Sequence, residues 1–311
     1  MRRHYLALIA SAWLTGTVSL APFEKAAAET LLDARKEFKT VLIRQEGGKQ
    51  PVPTAPASLF RTIRYDAAGG KYVAYLSPDP KDGKKHPAII WITGGDCNSI
   101  DEVWNGAPRS NDQTAAQYRK AGIVMMFPSL RGGNGNPGAR EGFFGEVEDV
   151  LAAADYLRKQ PYADPDRIYL GGHSTGGTLA LLTAAYPNKF RAVFAFGPVA
   201  NVASYGSSFL PFDYSNKREL ELRAPILWLS SIDVPVFVIE GSASPNAGSL
   251  QAMSARRPAN PKLSFIAVNG GDHFNVLAPV NELIAEKIIR DTGQGSLALQ
   301  AGEVNQRFAQ R

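Results

Sequence analysis

The sequence predicts an α/β domain built on a mostly parallel, doubly wound sheet. Three observations carry this reading. Short apolar runs alternate with stretches of helical periodicity along most of the chain, which is the pattern a parallel sheet with crossover helices produces. Runs such as 88–93 and 234–239 are apolar at nearly every position, as expected for strands covered on both faces. The string Leu170-Gly171-Gly172-His173-Ser174-Thr175-Gly176-Gly177 joins one such run to a helical stretch, through a turn tight enough to demand residues without side-chain bulk.

The elements follow in order. Residues 29–45 suggest a short amphipathic helix, and residues 46–58, rich in Gly and Pro, a linker. Residues 59–64 and 72–76 should pair as antiparallel strands about the turn Ala67-Ala68-Gly69-Gly70, and 88–93 should be the first fully buried strand. Next come a helix over 110–120, a strand over 123–127, and a helix over 145–159 with Val147, Val150, Leu151, Ala154 and Leu157 on one face. Residues 168–170 form the strand that feeds the glycine-rich turn, followed by a helix to Ala185 and a strand over 192–196. The irregular stretch 197–221 is expected to be a small cap insert. A strand over 234–239, a helix near Leu250, a strand over 263–268 and a helix over 277–290 complete the domain, which spans 59–291. The remaining residues, 292–311, have weak periodicity and are expected to form a peripheral tail.

The first 28 residues are of a different kind. Arg2 and Arg3, an apolar stretch over 6–21 and Ala26-Ala27-Ala28 before Glu29 have the layout of a cleavable export signal. The apolar stretch is short for a membrane span, and an uncleaved anchor is the alternative. The expected location is therefore periplasmic or secreted. Cys97 is the only cysteine, so no intramolecular disulfide forms and the core must supply the stability. A formal charge of +5 is scattered along the chain without an arginine-rich stretch, which excludes a nucleic-acid partner; no membrane partner beyond export is expected, and the oligomeric state is open.

Chemistry concentrates at Gly172-His173-Ser174-Thr175-Gly176. A G-x-S-x-G turn between strand and helix lifts a serine hydroxyl to the carboxyl edge of a sheet, which nominates Ser174 as a nucleophile; the plain alternative is a Gly/Ser turn that caps a helix. A serine needs a general base, and histidine is the usual one near neutral pH. Of the four histidines, His4 lies in the export segment, His86 in a Lys-rich turn, and His173 beside the serine with its ring directed away from the hydroxyl. His273 remains, in Asn269-Gly270-Gly271-Asp272-His273-Phe274 between a strand and a helix. Cys97 has no histidine near it in sequence and is not favoured as a nucleophile. No His/Cys/carboxylate array has metal spacing and no glycine-rich loop precedes a dinucleotide-binding acid, so no cofactor and no metal are expected.

With Ser174 and His273 in this order, the chain resembles the α/β-hydrolases, and among them the catalytic domains of the prolyl-oligopeptidase and dienelactone-hydrolase branch. The likeness rests on Ile89-Ile90-Trp91-Ile92-Thr93-Gly94-Gly95, the loop from Pro128 to Gly138, the helical stretch from Gly145 to Leu157, the serine turn, and Gly271-Asp272-His273-Phe274. It covers roughly residues 60–290. The resemblance implies an oxyanion hole from the backbone N–H of Thr175 and one from the loop after the first buried strand. That loop often begins His-Gly-Gly, whereas here it reads Thr93-Gly94-Gly95-Asp96, so the second donor is Gly95 or, alternatively, Asp96. It also implies an acid shortly after strand 234–239. None is found: from Gly241 to Gly271 the chain has no Asp or Glu. Three arrangements stay open, with Glu240 as the partner of His273, with Asn246 as a neutral partner, or with Ser174 and His273 as a dyad. Asp272, adjacent to His273, would have to fold back on it.

Two further groups stand out. Arg131, Asn134, Asn136, Glu146, Glu148 and Asp149 form a polar cluster, read first as a clasp that holds a glycine loop to the sheet. Trp104, Phe144 and Phe274 are candidates for the walls of the site, or for the core. The reading is an exported serine hydrolase of an ester or amide, acting on a small-molecule or peptide substrate. Carboxylesterase activity is preferred to prolyl-oligopeptidase-like peptidase activity because the insert is small, and a non-catalytic binding protein of the same fold is the third option.

Overall fold

The computed structural model describes residues 29–45 and 47–310; the expected export signal over 1–28 lies outside the described residues. The chain forms an eight-stranded sheet in the order β1-β2-β4-β3-β5-β6-β7-β8, with β1 Arg61–Ala67, β2 Gly70–Leu76, β3 His86–Ile92, β4 Val124–Pro128, β5 Ala163–His173, β6 Val193–Phe196, β7 Val236–Gly241 and β8 Leu263–Val268. β1 and β2 form the expected antiparallel hairpin, and β2 pairs antiparallel to β4. All later pairs are parallel. This is the α/β-hydrolase fold.

The near-continuous apolar character of the strands has a direct cause. On β3, Ala88, Ile90 and Ile92 enter one core layer while Ile89 and Trp91 enter the other. The same split places Val193 and Ala195 of β6 opposite Phe194 and Phe196, and Val236 and Val238 of β7 opposite Phe237 and Ile239. Successive side chains of a strand point to opposite faces, so covering both faces makes every position apolar. The first layer is closed by helices α1 Leu31–Lys36, α3 Glu146–Arg158, α4 Thr175–Ala184 and α6 Ala247–Arg256. The second is closed by α2 Ala116–Lys120, α7 Leu277–Arg290 and α8 Ala301–Ala309. The insert after β6 carries a short 3-10 turn at Val202–Tyr205 and helix α5 Lys217–Glu221.

Three expectations need correction. The helix expected over 110–120 is reduced to α2, because Asp112 binds Thr114 N–H, the Thr114 hydroxyl and the Gln117 amide, and Ala115 takes a left-handed φ of 47°; these local bonds compete with the helical ladder. The expected tail over 292–311 is, in its described part 292–310, not peripheral: α8 buries Val304 and Phe308 in the second layer, and a capping box between Gln300 and Glu303 starts it. The expected linker over 46–58 is, in its described part 47–58, not free either. Gly48 N–H donates to Gly132 O (2.6 Å), its carbonyl accepts from Gly135 N–H (2.5 Å), and the Tyr75 hydroxyl donates to Pro53 O (2.7 Å), so the segment is strapped across the carboxyl edge of the sheet.

Candidate active site

The site gathers at the carboxyl ends of β3, β5, β7 and β8, where ligands bind in open α/β sheets. β5 delivers Ser174 into α4 through a backbone that residues with a Cβ rarely adopt: Ser174 has φ 56° and ψ −116°. A positive φ in a residue with a Cβ is strained and persists only where the surroundings enforce it. Here they do. The Ser174 N–H donates to Phe196 O (2.8 Å) and its carbonyl starts the helix by accepting from Thr178 N–H (2.9 Å). Gly172 and Gly176 are required on either side, since a Cβ at Gly172 would strike the Gly176 carbonyl and one at Gly176 the Ile92 carbonyl.

His273 follows β8 and reaches the same wall. Its Nδ1 donates to Glu240 Oε2 at 2.9 Å, and Glu240, 1% exposed at the end of β7, accepts from Gly241 N–H through Oε1 (2.7 Å). Beneath both lies Gly197, which ends β6 with φ +60°; a Cβ there would come within 2.8 Å of His273 Nδ1 and 2.9 Å of Glu240 Oε2. The neighbouring Phe196 carbonyl is the one that holds Ser174. A single turn of backbone at Phe196–Gly197 therefore supports serine, histidine and carboxylate. Among the described residues no hydrogen bond joins the Ser174 hydroxyl to His273, a contact that commonly tightens only with substrate in place.

Of the three arrangements left open for the acid, the structure brings Glu240 to the imidazole. Asn246 is elsewhere: its Nδ2 donates to Gly197 O (2.8 Å), steadying the turn rather than the ring. Asp272 binds the backbone of Phe274 and Asn275 and the Asn275 amide. The loop after β3 is tied to the serine turn by Thr175 Oγ1, which donates to Gly95 O (3.0 Å). Cys97 lies buried beside this loop, and burial pushes its thiol up, well away from thiolate chemistry near neutral pH.

The polar cluster is a clasp. Arg131 binds both oxygens of buried Asp149 (2.8 and 2.9 Å) and Glu141 (2.6 Å), while Asn134 and Asn136 accept from Ile100 and Val73 N–H. Such fork-shaped charge-assisted pairs fix a loop firmly. Of the aromatic candidates, Phe274 is 40% exposed and stands edge-on to His173 and His273. Trp104 packs on Tyr75, and Phe144 is covered by the Arg35 and Arg223 guanidinium groups; Phe144 thus belongs to the docking of the N-terminal helix, not to the site wall. Sequence reasoning missed the rings that do gather here: Phe143, Tyr205 and Phe209 lie within 5.2–6.2 Å of one another. Phe143 and Phe209, with Cys97 and Pro211, line a cavity of about 100 Å³ beside Asp96. A wider cleft of about 950 Å³ runs from Thr93 and Gly94 to the strap at Gly48, Pro51 and Pro53.

A profile of the prolyl oligopeptidase family matches residues 109–255. The chain is 26% identical over 241 residues to dipeptidyl-peptidase 5 of Porphyromonas gingivalis, covering 70% of this chain and 34% of that protein. It is 26% identical over 217 residues to the uncharacterized peptidase YtmA of Bacillus subtilis, covering 63% and 77%. The solved structure of Pyrobaculum calidifontis esterase superposes with a TM-score of 0.54 at 18% identity, covering 87% of this chain and 92% of that one. The chain thus spans about a third of the length of the first of these relatives. The fold is that of the α/β-hydrolases, and the site brings together a serine, a histidine and a carboxylate, the set a serine hydrolase requires. Within that class the chain resembles the catalytic domains of the prolyl oligopeptidase family.

Proposed function

We propose that the protein hydrolyses esters or amides of small acyl groups through an acyl-enzyme on Ser174. The observation that carries this is the convergence of a strained serine, a histidine and a buried carboxylate on one turn of backbone at Phe196–Gly197. His273 takes the Ser174 proton during attack and returns it to the leaving group; water then repeats the sequence on the acyl-enzyme. Glu240, fixed by the Gly241 N–H, holds the proton-bearing Nδ1 and stabilises the imidazolium that forms. The oxyanion is received by the N–H groups of Thr175 and Gly95. The second choice is supported by the bond from Thr175 Oγ1 to Gly95 O: carbonyl and N–H are antiparallel across a trans peptide, so the Asp96 N–H is turned away from the serine helix.

The aromatic cavity of about 100 Å³ beside Asp96 suits a small acyl side chain, of an ester or an amide alike, and the small size of the cap insert favours ester substrates. A peptidase reading is favoured by the peptidases among the relatives. Turnover of a panel of p-nitrophenyl esters beside aminoacyl and prolyl nitroanilides decides between them. Ser174→Ala should abolish both turnover and labelling by a fluorophosphonate, with the circular dichroism spectrum unchanged; a folded Ser174→Ala protein that still turns over at near the wild-type rate refutes the assignment.

A further inference from the structure

The residue between Gly172 and Ser174 is a second histidine, and it is built into the site. His173 is fully buried. Its Nε2 lies 2.9 Å from His273 O. A carbonyl only accepts, so Nε2 carries the ring proton and donates it. Nδ1 is then the acceptor side of the ring, 3.2 Å from the atom placed as Gln113 Oε1; since that oxygen also only accepts, the pair becomes a hydrogen bond when the Gln113 amide is turned to present its nitrogen. Gln113 is itself anchored, since its backbone carbonyl accepts from Trp91 Nε1 (2.8 Å). On the remaining side the ring meets Gly94: a Cβ at Gly94 would lie 3.0 Å from His173 Nδ1 and 3.1 Å from Ser174 Cβ. The imidazoles of His173 and His273 are 4.5 Å apart, centre to centre, and Phe274 closes the stack edge-on. One ring thus touches the serine turn, the oxyanion loop and the loop that carries the base.

We propose that His173 is a positioning residue for catalysis, which sets the distance from Ser174 to the His273 imidazole by holding the His273 carbonyl through its Nε2–H. The physical reason is economy of connection. The imidazole of His273 is held by Glu240 at one atom only, and a ring on one hydrogen bond can still swing as its backbone shifts; pinning the backbone at the same residue removes that freedom. A misplacement of about 1 Å between reacting groups costs on the order of 10²-fold in rate. His173 suits the task because it stays neutral near pH 7: burial, with the nearby His273 adding to it, pushes its pKa down to about 3. The inference rests on the assignment of Ser174 and His273 above.

The test uses side chains that do or do not restore a donor at the Nε2 position. His173→Phe keeps the ring and loses the donor, and leaves the His273 carbonyl buried without its partner. His173→Gln carries an amide nitrogen close to where Nε2 stood. The expected result with p-nitrophenyl butyrate is a fall in kcat of about 10- to 100-fold for His173→Phe with KM within about threefold of wild type, and recovery to within about threefold of wild-type kcat in His173→Gln. The rate of fluorophosphonate labelling, which needs the base but no leaving-group fit, should follow the same order. Should His173→Phe not fold, His173→Asn replaces it, because its shorter amide reaches the Nδ1 position and not Nε2. Wild-type kcat in His173→Phe or in a folded His173→Asn, or equal loss in the donor and non-donor variants, overturns the proposal. A wild-type protein that neither labels nor turns over fails earlier, at Ser174, and a Ser174→Ala control tells the two failures apart.

Discussion

Glu240 spends one carboxylate oxygen on His273 and the other on the next amide of its own strand, so the carboxylate cannot turn away from the ring without abandoning a hydrogen bond. Glu240→Gln should leave a folded protein whose kcat drops by about 10³-fold or more, because an amide neither stabilises the imidazolium nor enforces the tautomer; a comparable change in a Ser-His-Asp protease costs about 10⁴-fold. Asn246→Ala removes only a bond to Gly197 O and should cost about tenfold or less. Steady-state kinetics of both variants on one activated ester, with circular dichroism to check folding, decides the matter, and the reverse order would restore Asn246 as the partner. His173 adds a pH dependence. Its folded pKa of about 3 lies below the unfolded value of about 6.5, so the unfolded chain binds a proton that the folded one refuses. The resulting loss of stability is absent above pH 6.5 and grows as the pH falls towards 3, by up to about 1.4 kcal/mol per pH unit. Urea unfolding of His173→Gln over this window should show a shallower fall than wild type; identical slopes would refute it. At this scale Ser174 was legible because its turn requires particular flanking residues, and His273 because the other three histidines stand in segments unsuited to a base and it alone lies between a late strand and a helix. Glu240 could only be offered as one of three arrangements, since the register that sets it against His273 is a property of β7 and β8 together. The contact from His173 to His273 O, across 100 residues of chain, leaves no local trace.

The N-terminal helix α1 shows what an element owes to distant backbone. It is only six residues long, too short to persist alone in water, and is held by Arg35. That guanidinium is buried and donates to the carbonyls of Leu222 (2.7 and 3.0 Å), Phe143 (2.9 Å) and Phe144 (2.9 Å), and lies against the rings of Phe144 and Tyr186. Arg35 thereby ties α1 to the loop whose Phe143 lines the small cavity. Arg35→Ala should lower stability by about 3 kcal/mol, since it strands buried carbonyls and removes packing, and a denaturant midpoint unchanged from wild type would refute this. In sequence Arg35 looks like an ordinary surface charge of an amphipathic helix, because carbonyl partners have no residue-type signature. The inner strands were legible for the opposite reason, since burial on both faces writes itself into every position; the hairpin, whose β1 is largely exposed, was marked by its Gly69-Gly70 turn. The tail helix α8 was not, although Val304 and Phe308 stand four residues apart and Gln300 and Glu303 form its cap; one pair of apolar positions is too little periodicity to stand out.

Across the whole molecule, both faces of the sheet are covered and the carboxyl edge is roofed by the cap insert and the N-terminal strap, which closes over Pro211, Gly132 and Gly135. Among the described residues the core is packed from α1 onward. Leu31 is fully buried, and Thr30 caps the helix by accepting from Asp33 N–H (3.1 Å). This gives a physical reason to expect the mature protein to begin near Glu29. Ala26-Ala27-Ala28 is the small-residue step that follows the apolar stretch of the proposed export signal, and cleavage after Ala28 would leave the cap residue and the buried leucine intact. Removal of only three more residues would take away Glu29, Thr30 and Leu31, exposing the helix start and opening a hole in the first core layer, at a cost of about 2–5 kcal/mol for the lost leucine alone. Intact mass of exported protein should match a chain that starts at Glu29. A mass that includes residues 1–28, with the protein recovered in the membrane fraction, would overturn cleavage in favour of an anchor, and a mass that starts beyond Leu31 would overturn the role given to Thr30 and Leu31.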